Sequence, residues 1–117
     1  MKIYNGKLFW NYHELAWSAR TSGVIQYFFD EQGNIVGQFY SEKQAGFVTI
    51  PSNAKYFLRR YWTNSGYPDH ILYIIEDNQL KRIFTVSRST SPLDVVQANI
   101  PNGIKNFLLK DVWGENL

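Results

Sequence analysis

The chain holds two histidines, His13 beside Glu14 and His70 beside Asp69. Neither spacing sets two metal ligands on one face of a helix or strand, and no third ligand accompanies either pair. Ser65, His70 and Asp69 are the residue types of a hydrolytic triad. An Asp adjacent in sequence to its His, however, rarely orients the ring productively. Having no Cys excludes a thiol nucleophile, disulfides and Cys-ligated zinc or iron–sulfur clusters. There is no P-loop, no G-x-G-x-x-G turn and no G-x-S-x-G elbow. The residues therefore predict no catalytic group, no metal and no cofactor, and the two histidines read as ordinary surface or loop residues.

Recognition chemistry is better represented. The stretch Tyr61–His70 gathers three aromatic rings with Asn64, Asp69 and His70. A sugar presents an apolar C–H face and a rim of hydroxyls. Flat rings such as Trp62 and Tyr67 match the face, and short polar side chains reach the rim. Arg59 and Arg60 precede this loop and suit phosphate or carboxylate groups on an anionic polymer. The expected saccharide site is thus Arg59, Trp62, Asn64, Tyr67, Asp69 and His70. For Trp62 a core or rim position, equivalent to that of Trp113, stays open as an alternative.

A second aromatic group, Phe9-Trp10-Asn11-Tyr12 with Trp17, suggests an interface with another subunit through Trp10, Tyr12 and Trp17, or a plug for the open end of the fold. Basic and aromatic residues also interleave along Lys55–Tyr61. Alternation there puts Lys55, Phe57, Arg59 and Tyr61 on one face and Tyr56, Leu58, Arg60 and Trp62 on the other. Neither face is strongly basic, so no nucleic-acid partner is expected.

These residues need strands to hold them. Val, Ile, Phe, Tyr, Trp and Thr dominate, and Gly, Asn and Ser punctuate the chain every eight to twelve residues, the pattern of an all-β sandwich or barrel. Val24–Phe29 and Ile35–Tyr40 read as a hairpin around Asp30-Glu31-Gln32-Gly33-Asn34. Phe47–Ile50 is a strand stopped by Pro51, and Lys55–Trp62 is the next. The series then recurs. Ile71–Ile75 and Leu80–Ser87 match the first hairpin, Val95–Ile100 ends at Pro101, and Ile-Pro-x-x-x-Lys-x-Phe-Leu occurs twice, fifty residues apart. This predicts two related four-strand units, at 24–62 and 70–113. They would close as an antiparallel sandwich or jelly-roll-like fold in a single domain, 1–117, with Lys2–Trp10 as an edge segment. Tyr12–Arg20 is the only helical candidate.

Composition bounds the rest. Twenty of 117 residues are Phe, Trp or Tyr, more than a small core needs, so some rings belong on a contact surface. The net charge of +2 is too small and too dispersed to point to nucleic acid. No apolar run is long enough for a membrane span, and Met1–Lys7 has no apolar signal-peptide core, so synthesis in the cytoplasm without a signal peptide is expected.

The stretch Tyr27–Gly37 followed by Thr49–Tyr56 resembles a hairpin-and-turn pattern in tail and baseplate proteins of phages that infect Gram-positive bacteria. The match covers about residues 24–62 and is echoed more faintly in the second half. Its residues look structural, since Gly33-Asn34 turns a hairpin and Pro51 ends a strand. The resemblance implies a carbohydrate-binding-like β-sandwich in a virion, at the tail tip or baseplate. Its partners would be other virion subunits in a homo-oligomer and a host cell-wall saccharide. A purely structural virion protein, with its aromatic surface buried between subunits, is the alternative. No ligand-binding residues are implied by the resemblance, and Met1–Ser22 departs from the pattern.

Overall fold

Three tight turns organise most of the strands. Asn5 and Gly6 both take positive φ (51° and 71°) and join β1 (Lys2–Tyr4) to β2 (Lys7–Trp10). Such paired left-handed residues match the twist of a two-residue hairpin. Between β3 (Val24–Phe29) and β4 (Ile35–Ser41), the Asp30 carboxylate accepts the backbone N–H groups of Gln32 and Asn34 at 3.0 and 2.9 Å. Gly33 there takes φ 89°. Asp77 and Asn78, at φ 52° and 59°, turn β7 (Pro68–Glu76) into β8 (Gln79–Val86) without a glycine. Short polar side chains tolerate that conformation. The computed structural model describes residues 1–11, 14, 24–41, 45–62 and 68–115.

Two antiparallel sheets result. With β5 (Gly46–Thr49) and β6 (Tyr56–Trp62), the orders are β1-β2-β5 and β4-β3-β6-β7-β8. Alternation along the central strands sends neighbouring residues to opposite flanks of the larger sheet. Phe28, Phe57, Ile71 and Tyr73 face the smaller sheet and pack against Leu8 and Trp10. Phe29, Leu58, Leu72 and Val86 face the other way, onto Val95, Ile104, Leu108 and Leu109. The molecule is mostly β, and its two sheets are packed face to face as the sequence predicts, with a helical layer on the far flank of the larger sheet.

That helical layer corrects a local expectation. Val95–Ile100 and Lys105–Trp113 were expected to complete a second four-strand unit. Instead the chain forms α1 (Pro92–Gln97), α2 (Asn102–Leu108) and a π-helical turn, Leu109–Trp113. Ser91 and Asp94 close a reciprocal capping box around Pro92, a helix start written in the sequence. Ile104, Phe107 and Leu108 recur at helical spacing, so the fifty-residue echo pairs a strand with a helix. Pro51 follows a strand, whereas Pro101 precedes a helix. A Cβ on Gly103 would lie 2.3 Å from the Gly33 carbonyl oxygen, so the β3–β4 turn rests backbone to backbone on the start of α2. Among the described residues no helix is long and apolar enough to cross a membrane. The helical candidate Tyr12–Arg20 lies outside the described residues, apart from Glu14.

Candidate functional site

The expected loop site divides between two flanks. Arg59 and Asp69 occupy positions of β6 and β7 that alternate with Arg60 and His70, a directly opposed cross-strand pair. Arg60 and His70 point to the helical flank. His70 is not an exposed ligand contact, because only 1% of its surface is accessible. Its Nε2 lies 2.6 Å from Oδ2 of Asp111 in the π-helical turn. An ionised carboxylate only accepts, so the proton of this bond sits on Nε2. Asp111 also takes a forked pair of bonds from Arg60, Nε at 3.0 Å and Nη2 at 3.1 Å. The Arg60 Nη1 donates to the Ile25 carbonyl at 2.7 Å, and the guanidinium lies over the Tyr27 ring. Burial alone would raise the Asp111 carboxyl. The His70 hydrogen bond and the Arg60 charge outweigh it and hold the group below the ordinary aspartate value. Arg60 is thus engaged within the fold.

A neighbouring amide extends the sheet. The ladder between β3 and β6 covers Tyr27–Phe29 and Tyr56–Leu58. Beyond it, the buried Gln26 carboxamide accepts the Arg60 N–H at 2.6 Å and donates to the Arg60 carbonyl at 2.9 Å. It also donates to Ser41 Oγ, which in turn donates to the Val24 carbonyl. Together with the Asp111 clasp, this polar chain holds the end of the larger sheet.

Trp62 is the last residue of β6, opposite Pro68, and its side chain lies outside the described set. Asn64, Tyr67, Tyr12, Trp17, Ser65 and His13 also lie outside the described residues. Trp10 corrects the interface expectation. It is 9% exposed, stacks on Phe39 at 5.0 Å and lies across Gly46, where a Cβ would meet its ring at 2.6 Å. Trp113 is half-buried against the helical core, in keeping with a core or rim position.

A cluster of solvent-facing rings lies elsewhere, on the outer face of the three-stranded sheet; Tyr40 on β4 of the larger sheet is also exposed. Leu8 and Trp10 point inward, so Lys7 and Phe9 point out. The same alternation exposes Lys2 and Tyr4 on β1, and Phe47 and Thr49 on β5. Register aligns them in two rows, Lys2–Phe9–Phe47 and Tyr4–Lys7–Thr49. Tyr4 is 68% exposed, Phe47 58% and Phe9 38%. Phe9 and Phe47 lean on each other at 5.5 Å, tilted by 34°, and the Lys7 ammonium lies 5.1 Å from the Phe47 ring centre. A depression of about 660 Å³ adjoins this face, bounded by Lys2, Phe9, Trp10, Asn11, Glu14 and Phe47. Glu14 closes one end. Its carboxylate accepts the Asn11 N–H and pairs with the Met1 amine. Burial pushes Glu14 up, but these two bonds and the Arg59 charge bring it below the ordinary glutamate value.

An apolar wall beside a few placed polar groups suits a ligand that stacks. Sequence reasoning grouped Phe9 with Trp10 and passed over Lys2, Tyr4, Lys7 and Phe47. The strict alternation in Lys7-Leu8-Phe9-Trp10 was the signal that could have found them. Among the described residues, no three His, Asp or Glu side chains gather as metal ligands. Compared with known proteins, the chain matches no protein-family model, no curated protein and no solved structure.

Proposed function

We propose that this chain is a non-catalytic attachment module. It would serve at the tail tip or baseplate of a phage or prophage and hold a cell-surface saccharide on the outer face of its three-stranded sheet. The observation that carries this reading is the set of rings Tyr4, Phe9 and Phe47, which face solvent from a sheet whose inner side is packed on the core. Rings on paired strands lose little freedom when they stack on a sugar, so less of the interaction is spent on ordering. The resemblance of Tyr27–Gly37 and Thr49–Tyr56 to phage tail proteins supports the setting. One site of this size binds weakly, and many copies on one particle would multiply its hold.

Isothermal titration of the multimerised chain against purified cell-wall polysaccharides tests the proposal. Heat that disappears in Phe9→Ala/Phe47→Ala, while the melting temperature holds, supports it. No heat with any polysaccharide counts against it. A stable oligomer in which these two rings are protected would instead favour the structural reading, in which a neighbouring subunit covers the face. Phe9 and Phe47 carry no polar atoms, which suits that rival equally well.

A further inference from the structure

We infer that the outer face selects acidic saccharides over neutral ones, with Lys2 and Lys7 as the charge-reading residues; this rests on the saccharide reading above. The six outward positions of this sheet, Lys2, Tyr4, Lys7, Phe9, Phe47 and Thr49, include two ammonium groups and no carboxylate. Glu14, at the edge of the adjoining depression, is already neutralised by the Met1 amine and the nearby Arg59 charge. The only carboxylate partner of a lysine among the described residues is Glu76, which pairs with Lys81 on a different sheet. The face therefore carries net positive charge beside its rings, and a negative group on the ligand meets no like charge among these six positions.

Register sets the spacing that is read. Lys2 lies directly opposite Phe9, and Lys7 is two residues before Phe9 on the same strand. The two lysines are thus diagonal neighbours, about 7–8 Å apart at their backbones. That separation suits negative groups carried about one or two sugar units apart. The Lys7 ammonium is held near the Phe47 ring, so an anionic substituent would be met while its sugar stacks on the adjoining rings.

The ring geometry excludes one mode of nucleic-acid binding, a base held between two rings; a base stacked on a single ring is what the dT oligomer below tests. A base sandwiched between two rings needs their planes about twice a van der Waals contact apart. Phe9 and Phe47 are only 5.5 Å apart at their centres and tilted, so they form one continuous wall with no slot between them. A wall of this kind accepts the broad C–H face of a pyranose.

The shared chemistry is an anionic group on a sugar, and carboxylate and phosphate can both supply it. Two matched pairs of probes separate the sources: oligogalacturonate against its methyl ester, and phosphorylated against unmodified dextran oligomers. A dT oligomer serves as the non-glycan polyanion. Binding is read by titration at low and at physiological salt, using the native chain and Lys2→Gln/Lys7→Gln.

At least one acidic glycan should bind roughly three- to tenfold more tightly than its neutral partner at low salt, as two exposed ion pairs allow. The lysine variant should lose that preference, binding acidic and neutral partners alike, and melt as the native chain does. Salt should erode the preference in the native chain. Equal binding of acidic and neutral partners overturns the inference but leaves the saccharide reading standing. An unchanged preference in the lysine variant overturns it as well, as does tighter binding of the dT oligomer than of any glycan. No binding to any glycan removes both the inference and the reading beneath it.

Discussion

On the helical flank of the larger sheet, Arg60 and His70 turn inward onto Asp111. On the outer face of the smaller sheet, Lys2 and Lys7 point outward among Tyr4, Phe9 and Phe47. Both regions combine cations with aromatic rings, and Arg60 lies over Tyr27 much as Lys7 lies over Phe47. What separates them is the carboxylate. Asp111 pairs with the Arg60 guanidinium and His70 Nε2 together and ties the π-helical turn to β6 and β7, so the Arg60 charge serves the fold. The outer lysines meet no carboxylate among the described residues, so their charge remains available to a partner. The location of a counter-charge, more than the type of cation, decides whether the cations of a basic–aromatic cluster are paired within the fold or face solvent.

The apolar layer between the two sheets provides the largest contrast. Phe57 is fully buried, within 5.1 Å of Phe28 and 6.0 Å of Phe39 between ring centres. Phe57→Ala should cost about 3–5 kcal/mol, read as a lower denaturant midpoint, because the rings around it cannot close the cavity. A loss below about 1 kcal/mol would mean that the sheets are not packed through this ring.

The clasp comes next. Asp111→Asn keeps the side-chain shape but removes the charge that Arg60 and His70 share. The expected loss at neutral pH is about 1–3 kcal/mol, toward the lower end because the Asp111 side chain keeps a quarter of its surface in water. Its carboxyl lies lower in the folded chain than in the unfolded one. The contribution is therefore complete above the ordinary aspartate value of 3.8 and fades as pH falls through the lower folded value. The stability gap between native chain and variant should close on acidification below 3.8. A gap that stays constant down to pH ~2 would show that the carboxylate contributes no linkage there.

The smallest stability effect belongs to the open face. Phe47→Ala should change stability by less than about 0.5–1 kcal/mol, since most of the ring already contacts water. Its consequence should appear in glycan titrations. A melting drop comparable to that of Phe57→Ala would mean the ring supports the fold, and the contrast between the two regions would collapse.

Local chemistry made two of the hairpins legible, whereas Lys2–Trp10, expected as one edge segment, turns back on itself at Asn5-Gly6 as a third. The residues Asp30 to Asn34 carry their own turn, because the carboxylate and the glycine sit where the backbone needs them. Alternation along Lys55–Trp62 correctly separated Phe57 from Leu58, which belong to opposite flanks. The helices were equally local, in the Ser91–Asp94 box and the spacing of Ile104, Phe107 and Leu108. A fifty-residue similarity to strands drew the reading away from them. The open aromatic face was half legible, since period-two alternation marks Lys7 and Phe9 as one side of a strand but cannot say which side meets solvent.

By itself, the order of residues determined that this chain would be rich in antiparallel strands, where two of its hairpin turns fall, and that it has more rings than a small core needs. Those properties depend on neighbours a few positions apart, where side-chain size and backbone freedom act directly. Only the assembled molecule decided that β5 leaves its sequence neighbours to pair with β2, that His70 lies beside an aspartate 41 positions away, and that Tyr4, Phe9 and Phe47 share the outer face of the smaller sheet. Each outcome turns on which of several similar apolar surfaces come together, and that choice is made by the packing of the whole chain.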